Sequence, residues 1–118
     1  MTIASTQVLP KPTGTGQDVT KSAINQIEKC YSMFDTDVLI SDLQSRAEFG
    51  KNKYGDYLRI NDGRNSIIDF YQEILDAIVY CWKAILEGNN ELKSYWSMLI
   101  RIAVDTSMRL ADEEKHVR

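Results

Sequence analysis

The chain has 118 residues, a hydrophobic content of 43% and a formal net charge of -3. This length fits one domain with a small core, and the absence of any run of about 18 apolar residues argues against a transmembrane helix. The mild acidity argues against a nucleic-acid binder, which usually has a basic face. Because residues 1–18 also lack the order of a signal peptide, we expect a cytoplasmic protein with neither a membrane nor a nucleic-acid partner.

Histidine and cysteine chemistry has little support in this sequence. The chain has one histidine, His116, near the end of the sequence. A Ser-His-Asp triad, a zinc site of several histidines and a di-iron bundle with two Glu-x-x-His motifs are therefore disfavoured. Cys30 and Cys81 have no metal-ligand spacing and are predicted to be free, buried thiols. Any chemistry must use carboxylates, lysines and arginines.

The first part of the chain is predicted to contain an arm and two helices. Residues 1–18 are rich in Thr, Gly, Pro and Gln without periodicity, which predicts a flexible arm that is either disordered or docked on a neighbouring subunit. Helical spacing of apolar residues predicts a first helix over 20–34, capped by Asp18 or Thr20, and a second over 38–51.

The second part is predicted to contain a basic loop and two longer helices. Residues 53–65 form a loop that includes an Asn-Asp-Gly turn signal. Apolar periodicity predicts a third helix over 66–87 and a fourth over 92–115. Because no segment shows strand alternation, we predict a single all-α domain of four helices over 19–118.

A stripe of carboxylates marks the third helix. Asp69, Glu73 and Asp76 lie within roughly 60° of one another at helical periodicity, and Tyr80 and Lys83 extend the stripe. Nearly every other direction is apolar, which predicts a central, buried helix. Burying three ionised carboxylates is costly unless they are paired or bind a metal, and magnesium prefers oxygen ligands. The alternatives are a solvated stripe or a structural pairing with Lys83.

Two further groups could complete a metal site. If the second and third helices are antiparallel, Glu48 faces Asp69 and Glu73. Without this pairing, Glu48 is expected to be an ordinary surface acid. The end of the second helix and the loop that follows supply cations able to hold phosphate oxygens, or to be simply solvated. These cations are Lys51, Lys53, Arg59 and Arg64.

Two segments of the chain resemble a known family. They are RAEFGKNKYGDYL and NDGRNSIIDFYQEILDAIVYCWKAI. They resemble the phage and bacterial MazG-like nucleotide pyrophosphohydrolases of the all-α NTP pyrophosphatase superfamily, in which an R-A-E-x-G-x-x-K-Y-G segment, a Gly-Arg turn and a D-x-Y-Q-E-x-x-D helix follow in this order. The resemblance covers about residues 46–87.

The resemblance implies a fold, an activity and an assembly. The fold is a four-helix, bundle-like MazG-type domain that works as a homodimer or homotetramer. The activity is cleavage of a (d)NTP between its α and β phosphates, giving the monophosphate and pyrophosphate, with Mg²⁺ as cofactor and Mn²⁺ as a substitute. The first candidate substrates are dATP and dGTP, because the relatives that look nearest act on these nucleotides.

The resemblance also implies roles for individual residues. Glu73 and Asp76 match the Glu-x-x-Asp metal ligands, and Asp69 matches the acid one turn earlier, a further candidate ligand. Glu48 matches the acid of the preceding helix, and we expect it to bind metal and to position or deprotonate the attacking water. The matching basic positions, expected to contact phosphates, are Lys53 and Arg64.

Two departures from the family pattern keep other interpretations open. Most of the superfamily has Glu-Glu-x-x-Glu on the second helix, where this chain has Gln44 and Ser45 before Glu48, so the number of metal ions is open. Relatives often have aspartate where this chain has Asn65, which either weakens an acid contact or alters a helix cap. The alternative function is a non-catalytic helical interaction or accessory protein with a degenerate site.

Overall fold

The structure is a computed structural model that describes residues 15–117, with side chains described as far as residue 114. Most of the predicted arm, residues 1–14, lies outside the described residues. Within the described part there are four α-helices and no strand, which confirms the all-α prediction. The chain divides into two compact units, an N-terminal unit ending at Arg64 and a C-terminal unit starting at Asn65. The single domain over 19–118 stays a prediction.

Two helices, α1 (Val19–Cys30) and α2 (Asp37–Tyr54), pack against each other in the N-terminal unit. The Asp18 carboxylate accepts a hydrogen bond from the backbone N–H of Lys21 at 3.1 Å. This bond satisfies one of the amides that the first turn of a helix leaves unpaired. Asp18 is therefore the cap of α1. Ile24 is the buried residue of this helix.

The end of α2 is set by Gly55, later than the predicted end at residue 51. Gly55 has a left-handed φ of 93°, and its N–H donates to the carbonyl of Lys51 at 2.8 Å. Glycine adopts this conformation without a Cβ clash, which is why it commonly follows a helix. Gly50, the other glycine of this segment, stays inside the helix.

The chain after α2 returns to pair with residues at the start of α1 and just before it. The N–H of Val19 donates to the carbonyl of Leu58 at 2.9 Å, and the N–H of Ile60 donates to that of Gln17 at 3.1 Å. Gly16 lies so close to Ile60 that a Cβ there would overlap the Ile60 Cγ1. The last residues of the predicted arm are thus held by backbone hydrogen bonds.

The C-terminal unit is a pair of longer helices, α3 (Ser66–Leu86) and α4 (Lys93–Val117), which pack against each other. Asn65 caps α3, because its side-chain Oδ1 accepts hydrogen bonds from the N–H groups of Ile67 at 3.0 Å and Ile68 at 3.2 Å. A short 3-10 turn leads into α4. Both helices begin and end within two residues of the predicted positions.

The described core of this unit is small. Ile85, Ala103 and Leu110 are its buried apolar residues. The buried hydroxyl of Thr106 donates to the Ile102 carbonyl at 2.7 Å, which satisfies a polar group that would otherwise be costly to bury. No helix among the described residues has the length and apolar character needed to cross a membrane.

The structure corrects the prediction that α3 is buried on nearly every side. Ile85 is its only buried residue, and Tyr80 and Leu86 are each 70% exposed. Within the unit α3 packs against α4, and a single partner helix covers only one side of another. The rings of Trp82 and Trp96 pack in a tilted arrangement with centroids 4.8 Å apart, and Trp82 stays 42% exposed.

The cysteines are free, as predicted, but they are not both buried. Cys30 is exposed at the end of α1 and accepts a hydrogen bond from the Gln26 side chain. Cys81 is half-buried, with its Sγ 3.7 Å from the carbonyl oxygen of Leu92. The prediction of a buried thiol is therefore wrong for Cys30.

Candidate functional site

Three predicted metal ligands, Asp69, Glu73 and Asp76, lie on α3 in the C-terminal unit. Their spacing places them along one face of the helix. Asp69 lies in the first turn and is half-buried, where the positive end of the helix dipole stabilises a carboxylate. Glu73 and Asp76 lie further along and are exposed. The structure thus brings these three acids to one helix face.

The exposure of Glu73 and Asp76 changes the physical basis of the predicted site. Neither side chain makes a hydrogen bond or ion pair with any described residue. Lys83, considered above as a structural counterion, instead binds Glu87, with 2.8 Å between Nζ and Oε2. Solvated carboxylates carry little desolvation cost, so burial does not force a cation here. Glu73 and Asp76 are instead a pair of exposed carboxylates, one helical turn apart, that can bind a cation.

The donor chemistry of this pair fits magnesium. Mg²⁺ prefers oxygen ligands and is usually held by one or two carboxylates together with waters and substrate phosphates. Glu73 and Asp76 supply that number. A complete protein cage is absent, since no group of three His, Cys, Asp or Glu side chains in the described part of the chain could hold a metal ion. Waters and substrate phosphates would complete the coordination.

Glu48, the carboxylate predicted to act on the attacking water and to be the fourth metal ligand, lies on α2 of the N-terminal unit and is exposed. The hydroxyl of Tyr57 donates a hydrogen bond to its Oε1. This bond, with smaller contributions from desolvation and from the charge of Glu48, raises the pKa of Tyr57 above its ordinary value of 10.0. Sequence reasoning missed Tyr57. The sequence feature that could have indicated this contact is Gly55, because a glycine after a helix can reverse the direction of the chain.

Glu48 and Tyr57 also line an open groove of about 500 Å³ in the N-terminal unit. Ile24 and Ala47 contribute apolar surface to it, and Gln44 contributes an amide. The volume lies in the range of small-molecule sites, roughly 300–1,000 Å³. The Glu48 carboxylate can therefore be reached by a ligand in this groove.

The two predicted phosphate-binding cations belong to the same unit. Lys53 lies in the last turn of α2, with its Nζ 5.3 Å from the centroid of the Tyr54 ring, and is exposed. Arg64 is half-buried, and its backbone N–H donates to Asp62 Oδ1 at 3.1 Å. The predicted turn before it is confirmed by the φ of 79° at Gly63.

The other two cations have structural partners. The Nζ of Lys51 lies 4.8 Å from the centroid of the Tyr57 ring. Arg59 forms an ion pair with Asp56 at 3.1 Å and donates to the carbonyl of Gly16 at 3.3 Å. The hydrogen bond from Arg59 is the main reason that the pKa of Asp56 is lowered. Lys51 and Arg59 thus hold the loop in place.

The predicted site draws on both units. Glu48, Lys53 and Arg64 lie in the N-terminal unit, and the α3 acids lie in the C-terminal unit. The structure places the acids of α3 along one helix face, and it places Glu48 beside Tyr57. The convergence of Glu48 with the α3 acids stays a prediction.

A second groove, of about 850 Å³, lies in the C-terminal unit between α3 and α4. Exposed apolar side chains, including Phe70 and Ile102, line it together with charged side chains of α4 such as Asp105 and Arg109. None of the predicted site residues lines this groove. It therefore adds nothing to the predicted nucleotide site.

Comparison with protein-family models, curated proteins and solved structures gives no match for this chain. The resemblance to the MazG-like family therefore rests on the two sequence segments described above.

Proposed function

We propose that this chain is a Mg²⁺-dependent nucleoside triphosphate pyrophosphohydrolase that cleaves a (d)NTP to the monophosphate and pyrophosphate. The observation that supports this most is the Glu73–Asp76 pair, exposed and without a described partner. Its spacing is that of the Glu-x-x-Asp ligands in the MazG-like family that the sequence resembles. The first candidate substrates are dATP and dGTP, and the proposed fold is of the MazG type.

The residues divide the proposed chemistry between them. Glu73 and Asp76 would hold Mg²⁺ with Asp69 in support, and the ion would supply charge neutralisation to the triphosphate. Glu48 would accept the proton of the water that attacks the α phosphorus. In this in-line displacement the bond to the α–β bridging oxygen breaks and pyrophosphate leaves, so the reaction needs positioning rather than a covalent nucleophile.

Two cations would act on the phosphates. Lys53 is exposed at the end of α2, so its ammonium can move to a phosphate oxygen. Arg64 would offer a planar pair of donors, which suits two oxygens of one phosphate. Both would stabilise the charge that develops on the departing pyrophosphate.

The proposed assembly is a homodimer or homotetramer. Large apolar side chains of both C-terminal helices are exposed, among them Leu86 on α3 and Met98 on α4. Extended apolar surface on a soluble chain commonly marks an interaction site, and a second copy would cover it. Sedimentation analysis of the full chain tests this, and a purely monomeric species at high concentration would refute it.

The activity is tested with two conservative variants, Glu73→Gln and Asp76→Asn. The full chain is incubated with Mg²⁺ and each canonical NTP and dNTP in turn, and pyrophosphate is measured. We expect release from at least one substrate and a loss of about 100-fold in kcat in each variant, since each removes a metal ligand. Glu91→Gln changes an exposed acid outside α3 and should keep full activity. Full Mg²⁺-dependent hydrolysis by both α3 variants would refute the proposal.

A second candidate is a non-catalytic helical interaction protein. It is favoured by Gln44, which stands where most of the superfamily has an acid. A thermal-shift assay separates the two functions. A nucleotide enzyme should be stabilised by Mg²⁺ together with a slowly hydrolysed dNTP analogue, because a ligand that binds only the folded state raises its stability. No shift with any analogue, combined with no pyrophosphate release, would favour the interaction protein.

A further inference from the structure

Tyr57 reaches Glu48 because the chain reverses direction at the end of α2. Gly55 takes a left-handed φ of 93°, with its N–H bonded to the Lys51 carbonyl at 2.8 Å. This is a conformation that glycine adopts without strain. The reversal lays the side chain of Tyr57 back along the helix that the chain has just left.

The Tyr57 side chain contacts two residues of one helix face. Lys51 and Glu48 are three positions apart on α2 and are therefore neighbours on its surface. The Lys51 Nζ lies 4.8 Å from the Tyr57 ring centroid, a cation–π contact, and the Tyr57 hydroxyl donates to Glu48 Oε1. One contact fixes the ring and the other fixes the hydroxyl.

The backbone around Tyr57 is anchored as well. The N–H of Tyr57 donates to Asp56 Oδ1 at 2.7 Å, and the other carboxylate oxygen of Asp56 pairs with Arg59 at 3.1 Å. Arg59 in turn donates to the carbonyl of Gly16 at 3.3 Å. The next residue, Leu58, accepts a backbone hydrogen bond from the first residue of α1 at 2.9 Å. The Tyr57 hydroxyl is thus presented from a segment held at several points.

This arrangement constrains a side chain that would otherwise be mobile. An exposed glutamate has several rotamers of similar energy, and fixing one costs conformational entropy. The hydroxyl of Tyr57 engages Oε1 and leaves the lone pairs of Oε2 for another partner. Because Glu48 and Tyr57 line the same groove, such a partner can enter beside them.

We propose that Tyr57 is the positioning residue of Glu48 and holds its carboxylate in the orientation in which Glu48 acts on the nucleotide. The inference rests on the proposed pyrophosphohydrolase function. In this role Tyr57 acts through Glu48. Its hydroxyl keeps the carboxylate ordered for the proton transfer, a step that follows substrate binding, so its loss should reduce turnover more than substrate affinity.

The first test compares Tyr57→Phe with Tyr54→Phe in the full chain. Tyr57→Phe keeps the ring beside Lys51 and removes only the hydroxyl. Tyr54 is a matched control, because its ring also lies beside a lysine and its hydroxyl has no hydrogen bond to a described residue. We expect kcat to fall about 10-fold in Tyr57→Phe with KM changed less than about 2-fold, and Tyr54→Phe to match the wild type. Urea midpoints check that both variants fold.

The second test asks whether Tyr57 acts through Glu48. In a Glu48→Ala background, Tyr57→Phe should cause no further loss of the remaining activity, because the residue that it positions is absent. A general disturbance of the loop would lower kcat in both backgrounds. Equal losses in the two backgrounds, or wild-type kcat in Tyr57→Phe, would overturn the positioning role and leave the proposed function intact.

The third test does not depend on activity. In the free protein, without nucleotide or metal, the side-chain carboxyl ¹³C resonance of Glu48 should move in Tyr57→Phe and stay unmoved in Tyr54→Phe. An unmoved resonance in Tyr57→Phe would overturn the inference directly. If the wild type releases no pyrophosphate from any nucleotide, the proposed function fails, and the catalytic role of Tyr57 fails with it. A moved Glu48 resonance would in that case identify a purely structural contact.

Discussion

Replacing Asn65 with alanine should destabilise the protein at the start of α3. The Oδ1 of Asn65 accepts hydrogen bonds from the N–H groups of Ile67 at 3.0 Å and Ile68 at 3.2 Å. These amides belong to the first turn, where backbone donors have no carbonyl partner within the helix. Alanine removes the acceptor and leaves both donors to solvent.

The expected loss in the free energy of unfolding depends on the exposure of this capping side chain. Capping side chains contribute about 1 kcal/mol, with a range of roughly 0.5–2 kcal/mol. Asn65 is exposed, so water replaces part of the lost hydrogen bonding and we expect about 1 kcal/mol. For a small protein with a urea m value of about 2 kcal/mol per M, the unfolding midpoint should fall by about 0.5 M.

Urea unfolding followed by circular dichroism measures this shift, and two further variants make it specific. Asn52→Ala changes an exposed asparagine inside α2 and should leave the midpoint unchanged or slightly raised, because alanine favours helix interiors. Asn65→Asp keeps an acceptor and adds a negative charge at the helix N-terminus, so it should match or exceed the wild type. If Asn65→Ala and Asn52→Ala had the same midpoint, the capping explanation would be wrong.

Other predictions concern the N-terminal unit. Glu48→Ala should lower the pKa of Tyr57 toward 10.0, because it removes the hydrogen-bond acceptor that raises it, and a tyrosine absorbance titration measures the change. Because the pKa of Tyr57 is raised in the folded state, the contact stabilises the fold below about pH 10 and is lost as the pH rises through the folded pKa. The difference in urea midpoint between wild type and Tyr57→Phe should therefore shrink at high pH. The pKa of Asp56 is lowered from 3.8, so its stabilising contribution is present above that pH and is lost on acidification; Asp56→Asn should make the urea midpoint less sensitive to acid. Gly16→Ala should lower the free energy of unfolding by about 1 kcal/mol, since the new Cβ would meet Ile60, and an unchanged urea midpoint would contradict this.

Local signals predicted the helices and their starts well. The predicted third helix over 66–87 matches α3, which ends at Leu86, because a cap residue and apolar periodicity are properties of neighbouring residues. Asp18 and Asn65 cap their helices through hydrogen bonds that span two or three residues. Gly63 adopts the positive φ that the turn signal indicated. None of these features requires a distant contact.

The contacts that sequence reasoning missed depend on residues far apart in the chain. Gln17 pairs with Ile60, and Val19 pairs with Leu58, through backbone hydrogen bonds that no local sequence pattern indicates. These bonds hold the loop that carries Tyr57. The exposure of α3 was missed for a related reason. An apolar helix surface indicates that something covers it, but the pattern does not say whether the cover is another helix, another part of the chain or another copy.

Glu73 and Asp76 offer a cleaner test of function than Glu48, because the fold does not depend on them. Like charges one turn apart on a helix surface cost a few tenths of a kcal/mol, and neither carboxylate offsets that cost through a described partner. Neutralising either should leave stability unchanged or slightly higher, so a loss of hydrolysis cannot be ascribed to unfolding. Replacing Glu48 also removes the hydrogen-bond acceptor of Tyr57, which mixes a change in chemistry with a change in the loop. The α3 pair therefore decides between a pyrophosphohydrolase and an interaction protein.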